Sequence, residues 1–321
     1  MDSTTTTHDM TTNDSTSDDA GLDQPVTGAL EGLRSFIAGQ IRDRVVGDRA
    51  EERSRELFDT PGERWFDEES AIWRVHADAS MFIGGLRALL LQSLHPLAMA
   101  GVAQHSDYRG DPWGRLQRTA DFLAATTFGP ADEAQAAVDM VKAVHARVHG
   151  TAADGRPYSA DDPHLLRWVH IAEVDSFLAA HDRYGQHRLS DAERDEYVAS
   201  TAVVARALGV PAPPESVAGL RIQMRAFRPE LASSPEAREA ARYLLLQPPV
   251  PIAGRPAYSM IAAAAVSLLP AWARLPLRLP YLPVTEALAI RPVGEAVTRI
   301  LRWAVAPDSA AQRRLDDLAS S

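Results

Sequence analysis

Apolar and polar positions along this chain recur with a helical period almost throughout. From Thr27 to about Leu57, the residues Leu30, Leu33, Phe36, Ile37 and Ile41 fall on one stripe, which predicts an amphipathic helix. From Glu69 to about His105 the pattern is longer and more apolar, passing through Gly84-Gly85 and Leu89-Leu90-Leu91. That predicts a helix buried on most sides, ended or kinked at His95-Pro96, because proline lacks the backbone donor and clashes with the preceding turn. Short Val/Ile/Thr/Tyr runs alternating with polar residues, the mark of strands, are scarce.

The next segments carry sharp boundary signals. Asp111-Pro112 reads as an N-cap with proline in the first turn, opening a helix to about Phe128. Gly129-Pro130, with Asp132 and Glu133 behind it, opens another, which Gly150 is expected to close at the C′ position. Asp162-Pro163 repeats the device for a helix running to about Tyr184, and further helices fit 190–208, 215–228 and 234–247. Past Leu246 the chain turns Pro-rich, which predicts short, kinked helices. With no internal repeat and no sharp break in composition, the expectation is an all-α fold with a single large helical domain. Residues 25–247 form its core and residues 248–321 a Pro-rich helical extension packed on it. Residues 1–24 are Ser/Thr/Asp-rich, cannot bury enough surface to offset chain entropy, and are expected to be a disordered acidic tail.

One stretch combines this helical scaffold with unusual chemistry. The two helices on either side of Gly129-Pro130 are joined by about two residues and should pair antiparallel. At about 1.5 Å per residue, Arg115 lies ~21 Å from the turn on one arm and His145 ~24 Å from it on the other, so the two ends should adjoin. Arg115, Arg118 and Thr119 share a face at i, i+3 and i+4, and so do His145 and His149. Guanidiniums, a hydroxyl and imidazoles are costly to hold near apolar surface unless paired or ligated. Plainer roles stay open at this point. His145 could be a hydrogen-bonded core histidine, His149 could favour a helix end, and Arg115 and Arg118 could pair with Asp111 or Asp121 on the surface. His145 and His149 lack the Glu that a zinc peptidase places directly after its first His; Ala146 stands there. His170-Ile171-Ala172-Glu173 reverses the Glu-x-x-His order of di-iron bundles. His95 and His105 could do no more than satisfy helix ends.

Composition narrows the chemistry further. The chain has no cysteine, which excludes disulfides, thiolate-ligated haem and Cys-type zinc or iron–sulfur sites. A formal charge of −10 with no Arg/Lys-rich run argues against nucleic acid as a partner. The longest apolar run, Met260 to Pro270, is about half the ~20 residues that a membrane span needs, so no transmembrane segment is expected. The N-terminus has neither a basic start nor an apolar middle, so no signal peptide is expected and a cytoplasmic location is.

Several segments together resemble a large actinobacterial family grouped with the latex-clearing rubber oxygenases and the membrane-bound oxygenase of the mycophenolic acid pathway. They are Arg87 to Pro96, Gly101 to Ser106, Gly114 to Thr119, Val144 to Gly150, Tyr158 to Pro163 and Trp168-Val169-His170, and the resemblance spans about residues 65–230. It implies a globin-like helical core holding a b-type haem, with His145 as the proximal ligand of the haem iron. The distal Arg-x-x-Lys-Thr motif of the rubber enzymes is matched by Arg115-Leu116-Gln117-Arg118-Thr119, which implies catalytic roles for Arg115, Arg118 and Thr119. Arg118 stands where those enzymes carry lysine, and arginine neither gives up its proton readily nor acts as a compact amine ligand. Cofactor binding is expected of His145 and Arg118, with His105 and His170 as further candidate ligands. The implied function is a haem b-dependent oxygenase using O2 on a hydrophobic, lipid- or isoprenoid-like small molecule. The alternative is a haem- or gas-sensing protein, or a haem-free binding protein, on the same fold.

Overall fold

The computed structural model describes residues 57–305, apart from 59, 107, 108 and 249, together with Met1. The tail of residues 1–24, and all but the last residue of the helix expected from Thr27 to Leu57, lie outside the described residues.

The apolar segment expected as one helix from Glu69 to His105 is broken twice, into α1 (Ala71–Ala77), α2 (Met81–Gln92) and α3 (Pro96–His105). The second break falls at His95-Pro96 as expected, and α3 turns away from α2 by 106°. The first break was not anticipated. Asp78 ends α1, and its carboxylate accepts the backbone N–H of Ser80 at 2.7 Å and that of Gln186 at 3.1 Å. Arg302 then donates to both carboxylate oxygens, at 3.0 and 3.1 Å. A short polar side chain that captures nearby backbone donors competes with helix continuation, and the distant arginine makes this turn permanent.

Local signals set the later helices. In α4 (Pro112–Phe128) Asp111 accepts the Gly114 N–H, and in α6 (Pro163–Tyr184) Asp162 accepts that of His164. Between them lies α5 (Ala131–His145). In α7 (Asp191–Leu208) Ser190 and Glu193 satisfy each other's backbone N–H groups as a capping box, and Gly209 closes the helix with a left-handed φ of 103°. Ser216 and Ser234 cap α8 (Val217–Phe227) and α9 (Pro235–Leu246). The Pro-rich stretch folds into α10 (Arg255–Leu268), the short α11 (Ala271–Arg274) and α12 (Arg291–Val305).

The strands β1 (His149–Thr151) and β2 (Pro157–Ser159) correct the expected end of α5. That helix stops at His145, the next turns tighten through Arg147 N–H to Val144 C=O and Val148 N–H to His145 C=O, and His149 pairs with Ser159. Gly150 is therefore not a helix C′ residue. Its place is set by Tyr158, whose hydroxyl would lie 2.6 Å from any added Cβ.

Among the described residues the fold is all-α apart from this small ribbon. Its centre is the packing of α2 on α6. Gly84 permits it, since a Cβ there would meet Phe177 Cδ1 at 2.8 Å. Around that contact Ile72, Trp73, Leu90, Leu91, Leu94, Trp168 and Ile171 are fully buried. Arg87 is buried too, and its guanidinium is consumed by Ser176, Asp175 and the Leu268 carbonyl. α10 packs against α2 and α12. Among the described residues no single helix is long and apolar enough to cross a membrane.

Candidate functional site

α4 and α5 pack together through their two-residue connection, so the start of α4 and the end of α5 share one end of the hairpin. Arg118 is 69% exposed there and pairs with Asp111 at 3.2 Å. Arg115 is half-buried and donates to Ser106 Oγ, and the exposed Thr119 hydroxyl donates to the Arg115 carbonyl at 3.1 Å. His145 is half-buried on the last turn of α5. Burial pushes its ring below the ordinary imidazole range, while Asp161 pulls the other way. Among the described residues no hydrogen bond or ion pair joins His145 to Arg115, Arg118 or Thr119. His149 and His105 are both exposed; His149 lies in the ribbon, and His105 ends α3 edge-on to Tyr158 at 6.1 Å.

A second group of polar side chains lies deeper, where α1, α4, α6 and α7 meet. His76 Nδ1 is 2.8 Å from the Thr127 hydroxyl and its Nε2 is 3.3 Å from the Tyr197 hydroxyl. Burial, and then the nearby His181, push His76 down to about 3, so the ring is neutral. Burial pushes His170 down to about 4, and its Nε2 is buried without a hydrogen-bond partner. Glu173, one turn along α6, is pushed up to about 7 by burial, and its charge reaches Tyr197. His76, His170 and Glu173 are half-buried between these helices, the two rings neutral and the carboxyl exchanging its proton near neutrality.

The third group is the tightest. His95, at the bend between α2 and α3, is 2% exposed, and neither ring nitrogen has a hydrogen-bond partner. His164 on the first turn of α6 lies 2.7 Å from Glu230 Oε2, and the same oxygen is 3.6 Å from His95 Nε2. Phe227 stacks on His164 at 4.5 Å, and Trp168 lies 6.4 Å from the His95 ring. Among the described residues these three are the one group of histidines and carboxylates close enough to share a metal ion, their ligand atoms all lying within 4.8 Å of one another. Two imidazoles and a carboxylate form a donor set suited to zinc or iron.

Sequence reasoning reached His95 as a residue that could do no more than satisfy a helix end. His164 went unnoticed although it directly follows the Asp162-Pro163 cap, and Glu230 carried no signal. It sits 66 residues beyond His164, in a 3-10 turn after α8. His76 and Tyr197 were missed because each looks like an ordinary member of its helix.

No curated protein and no solved structure gives a significant match to this chain. A family model does: that of the ER-bound oxygenase mpaB/B′ and rubber oxygenase catalytic domain, over residues 73–305. That span begins in α1, runs to the end of α12, and takes in all three polar groups described above. Over most of its length, then, this chain belongs to the mpaB and rubber oxygenase catalytic-domain family.

Proposed function

We propose that this member is a haem b-dependent oxygenase that uses O2 on a hydrophobic small molecule, with His145 as the protein ligand of the haem iron. One observation carries most weight. His145 combines a lowered pKa, hence a neutral ring at pH 7, with ring nitrogens free of hydrogen bonds among the described residues. Neutral imidazole is the form that binds iron. Leu116, Met140 and Val144 of the same hairpin expose large apolar side chains, which suits a flat hydrophobic cofactor or substrate. Bound haem supplies the redox chemistry of oxygen activation.

The chain's own groups supply binding and charge. Arg118 is held by an exposed ion pair worth at most about 1 kcal/mol, so its guanidinium can swing to an anionic group of a bound ligand at little cost. Thr119 offers a hydroxyl one residue away, and Arg115, anchored on Ser106, holds the start of α4 against the end of α3.

Haemin titration of the full-length protein followed by gel filtration tests the cofactor. Haem is expected to co-elute with a Soret band in the wild type, to be lost from His145→Ala and to be retained by His149→Ala, whose ring lies in the exposed ribbon. A wild type that elutes without Soret absorbance is not a haem protein, and the reverse ranking of the variants moves the ligand to His149.

Arg118→Ala separates a functional guanidinium from a decorative one. Thermal stability is expected to change by less than about 1 kcal/mol, since only a surface pair is lost. Oxygen consumption with an apolar alkene is expected to fall by up to about a hundredfold, the loss seen when a donor that stabilises developing charge is removed. Unchanged turnover would leave Arg118 with the Asp111 pair as its whole role.

A further inference from the structure

We infer that His95, His164 and Glu230 form a binding site for a first-row divalent transition cation, with zinc the best match to the donors. This site shares no residue with the haem-binding set proposed above and does not depend on it.

The first argument is the state of His95. It is 2% exposed, and both ring nitrogens lack a hydrogen-bond partner. Buried polar atoms left unpaired cost their full desolvation penalty, and native proteins satisfy nearly all of them with protein groups, ordered water or an ion. Glu230 Oε2 lies 3.6 Å from Nε2, too long for a hydrogen bond.

The second is the spacing. With metal–ligand bonds of about 2.0–2.1 Å, a tetrahedral zinc ion sets its ligand atoms ~3.3 Å apart. Here the shared carboxylate oxygen is 2.7 Å from His164 Nε2 and 3.6 Å from His95 Nε2, values that bracket this spacing. All the ligand atoms lie within 4.8 Å of one another, and His164 and Glu230, both nearly half exposed, are free to adjust around an ion.

Preorganisation is the third. Ala232 N–H donates to the Leu94 carbonyl at 2.8 Å, tying the Glu230 segment to the residue before His95. Trp168 Nε1 donates to the Gln92 carbonyl at 3.1 Å, fixing the end of α2 to α6. Phe227 lies flat against His164. Three separate stretches of chain are thus held so that their donors converge, as a metal site requires.

The donors also select the cation. Two imidazoles disfavour calcium and magnesium, which prefer oxygen, and suit zinc, cobalt(II) or iron(II). Three protein ligands leave at least one coordination position open, on the side where His164 and Glu230 meet solvent. Arg156, in the ribbon turn, acts on both His95 and Glu230 through its charge and opposes a cation. It is exposed and held by Asp154, which limits that opposition.

The test uses full-length protein stripped with a chelator, desalted, and titrated with Co2+ by visible absorption and with Zn2+ by calorimetry. One equivalent is expected, with a cobalt spectrum of low-symmetry, nitrogen–oxygen coordination. His164→Ala and Glu230→Gln, both at exposed positions, are each expected to weaken binding by about tenfold or more, the scale of loss when a site's support is removed. Arg156→Ala should tighten it. His187→Ala, which removes an exposed histidine outside the group, should bind as the wild type does. Failure of the wild type to take up a stoichiometric ion, or unchanged affinity in both ligand variants, overturns the site. Haem uptake measured on the same samples is a separate readout, since His164→Ala leaves His145 intact.

Discussion

Replacing Asp78 with Ala is expected to lower the unfolding free energy by about 3–5 kcal/mol, a large part of what holds a typical domain together. The Asp78 carboxylate is 6% exposed and Arg302 20% exposed, and the arginine donates to both oxygens. The same carboxylate accepts from Ser80 and Gln186, so truncation strands two backbone donors and leaves a guanidinium nearly buried without its counter-charge. Burial alone would push this carboxyl up, but the bonds from Arg302 and Ser80 outweigh it and hold it below its usual range. Urea titration of Asp78→Ala, Arg302→Met and the double variant checks the assignment. The double variant should lose far less than the sum of the singles, because a deleted pair leaves no unpaired charge behind. Additive losses would mean that the two side chains are not a unit.

Acid should weaken this fold well above the pH at which most carboxylates protonate. His76 and His170 are pushed down to about 3 and about 4, whereas both titrate near 6.5 in an unfolded chain. Below pH 6.5 the unfolded state therefore takes up protons that the folded state refuses. The stability these two rings contribute is present above that pH and is lost as pH falls through their folded values. Glu173 works in the opposite sense. Pushed up to about 7, it holds its proton in the folded state over a range where the unfolded carboxyl has lost it, so its share of stability grows as pH falls from 7 to 4.5. Two shifts against one leave a net loss of roughly 3 kcal/mol between pH 7 and pH 4, at about 1.4 kcal/mol per unit. Glu173→Gln should be more stable than wild type at pH 8 and should lose more on acidification. A wild-type stability that stays flat or rises from pH 6.5 to 4 would contradict the burial of these rings.

The parts of the fold that were legible in the sequence are those written locally. Asp111-Pro112, Asp162-Pro163, Ser190 with Glu193, and Ser234-Pro235 each place a capping oxygen within three residues of the donors it satisfies, and each opens a helix where expected. The break at Asp78 could not be seen, because a lone Asp in an apolar stretch is a weak stop signal and the arginine that fixes its carboxylate lies 224 residues later. The ribbon at 149–159 was missed for a related reason. His145 to Gly150 carries a plausible helical end, but Val148 gives its carbonyl to Ala160 N–H instead. Among the chemical groups, Arg115, Arg118, Thr119 and His145 were visible as a pattern because they sit on one hairpin. His95, His164 and Glu230 come from three stretches with no common period, and only the packing of α2, α6 and the turn after α8 brings them together.

The pairing of Asp78 with Arg302 also sets a clock on synthesis. The ribosome emits a chain at about 5–20 residues per second, so Asp78 leaves the exit tunnel roughly 10–45 s before its partner does. Through that interval α1 and α2 can form, but the carboxylate between them must stay in water, and the seat of α12 stays open. The nascent chain is thus held short of its final burial until its last described helix has emerged. During that wait the apolar surface destined for α12 is exposed to chaperones and to neighbouring nascent chains.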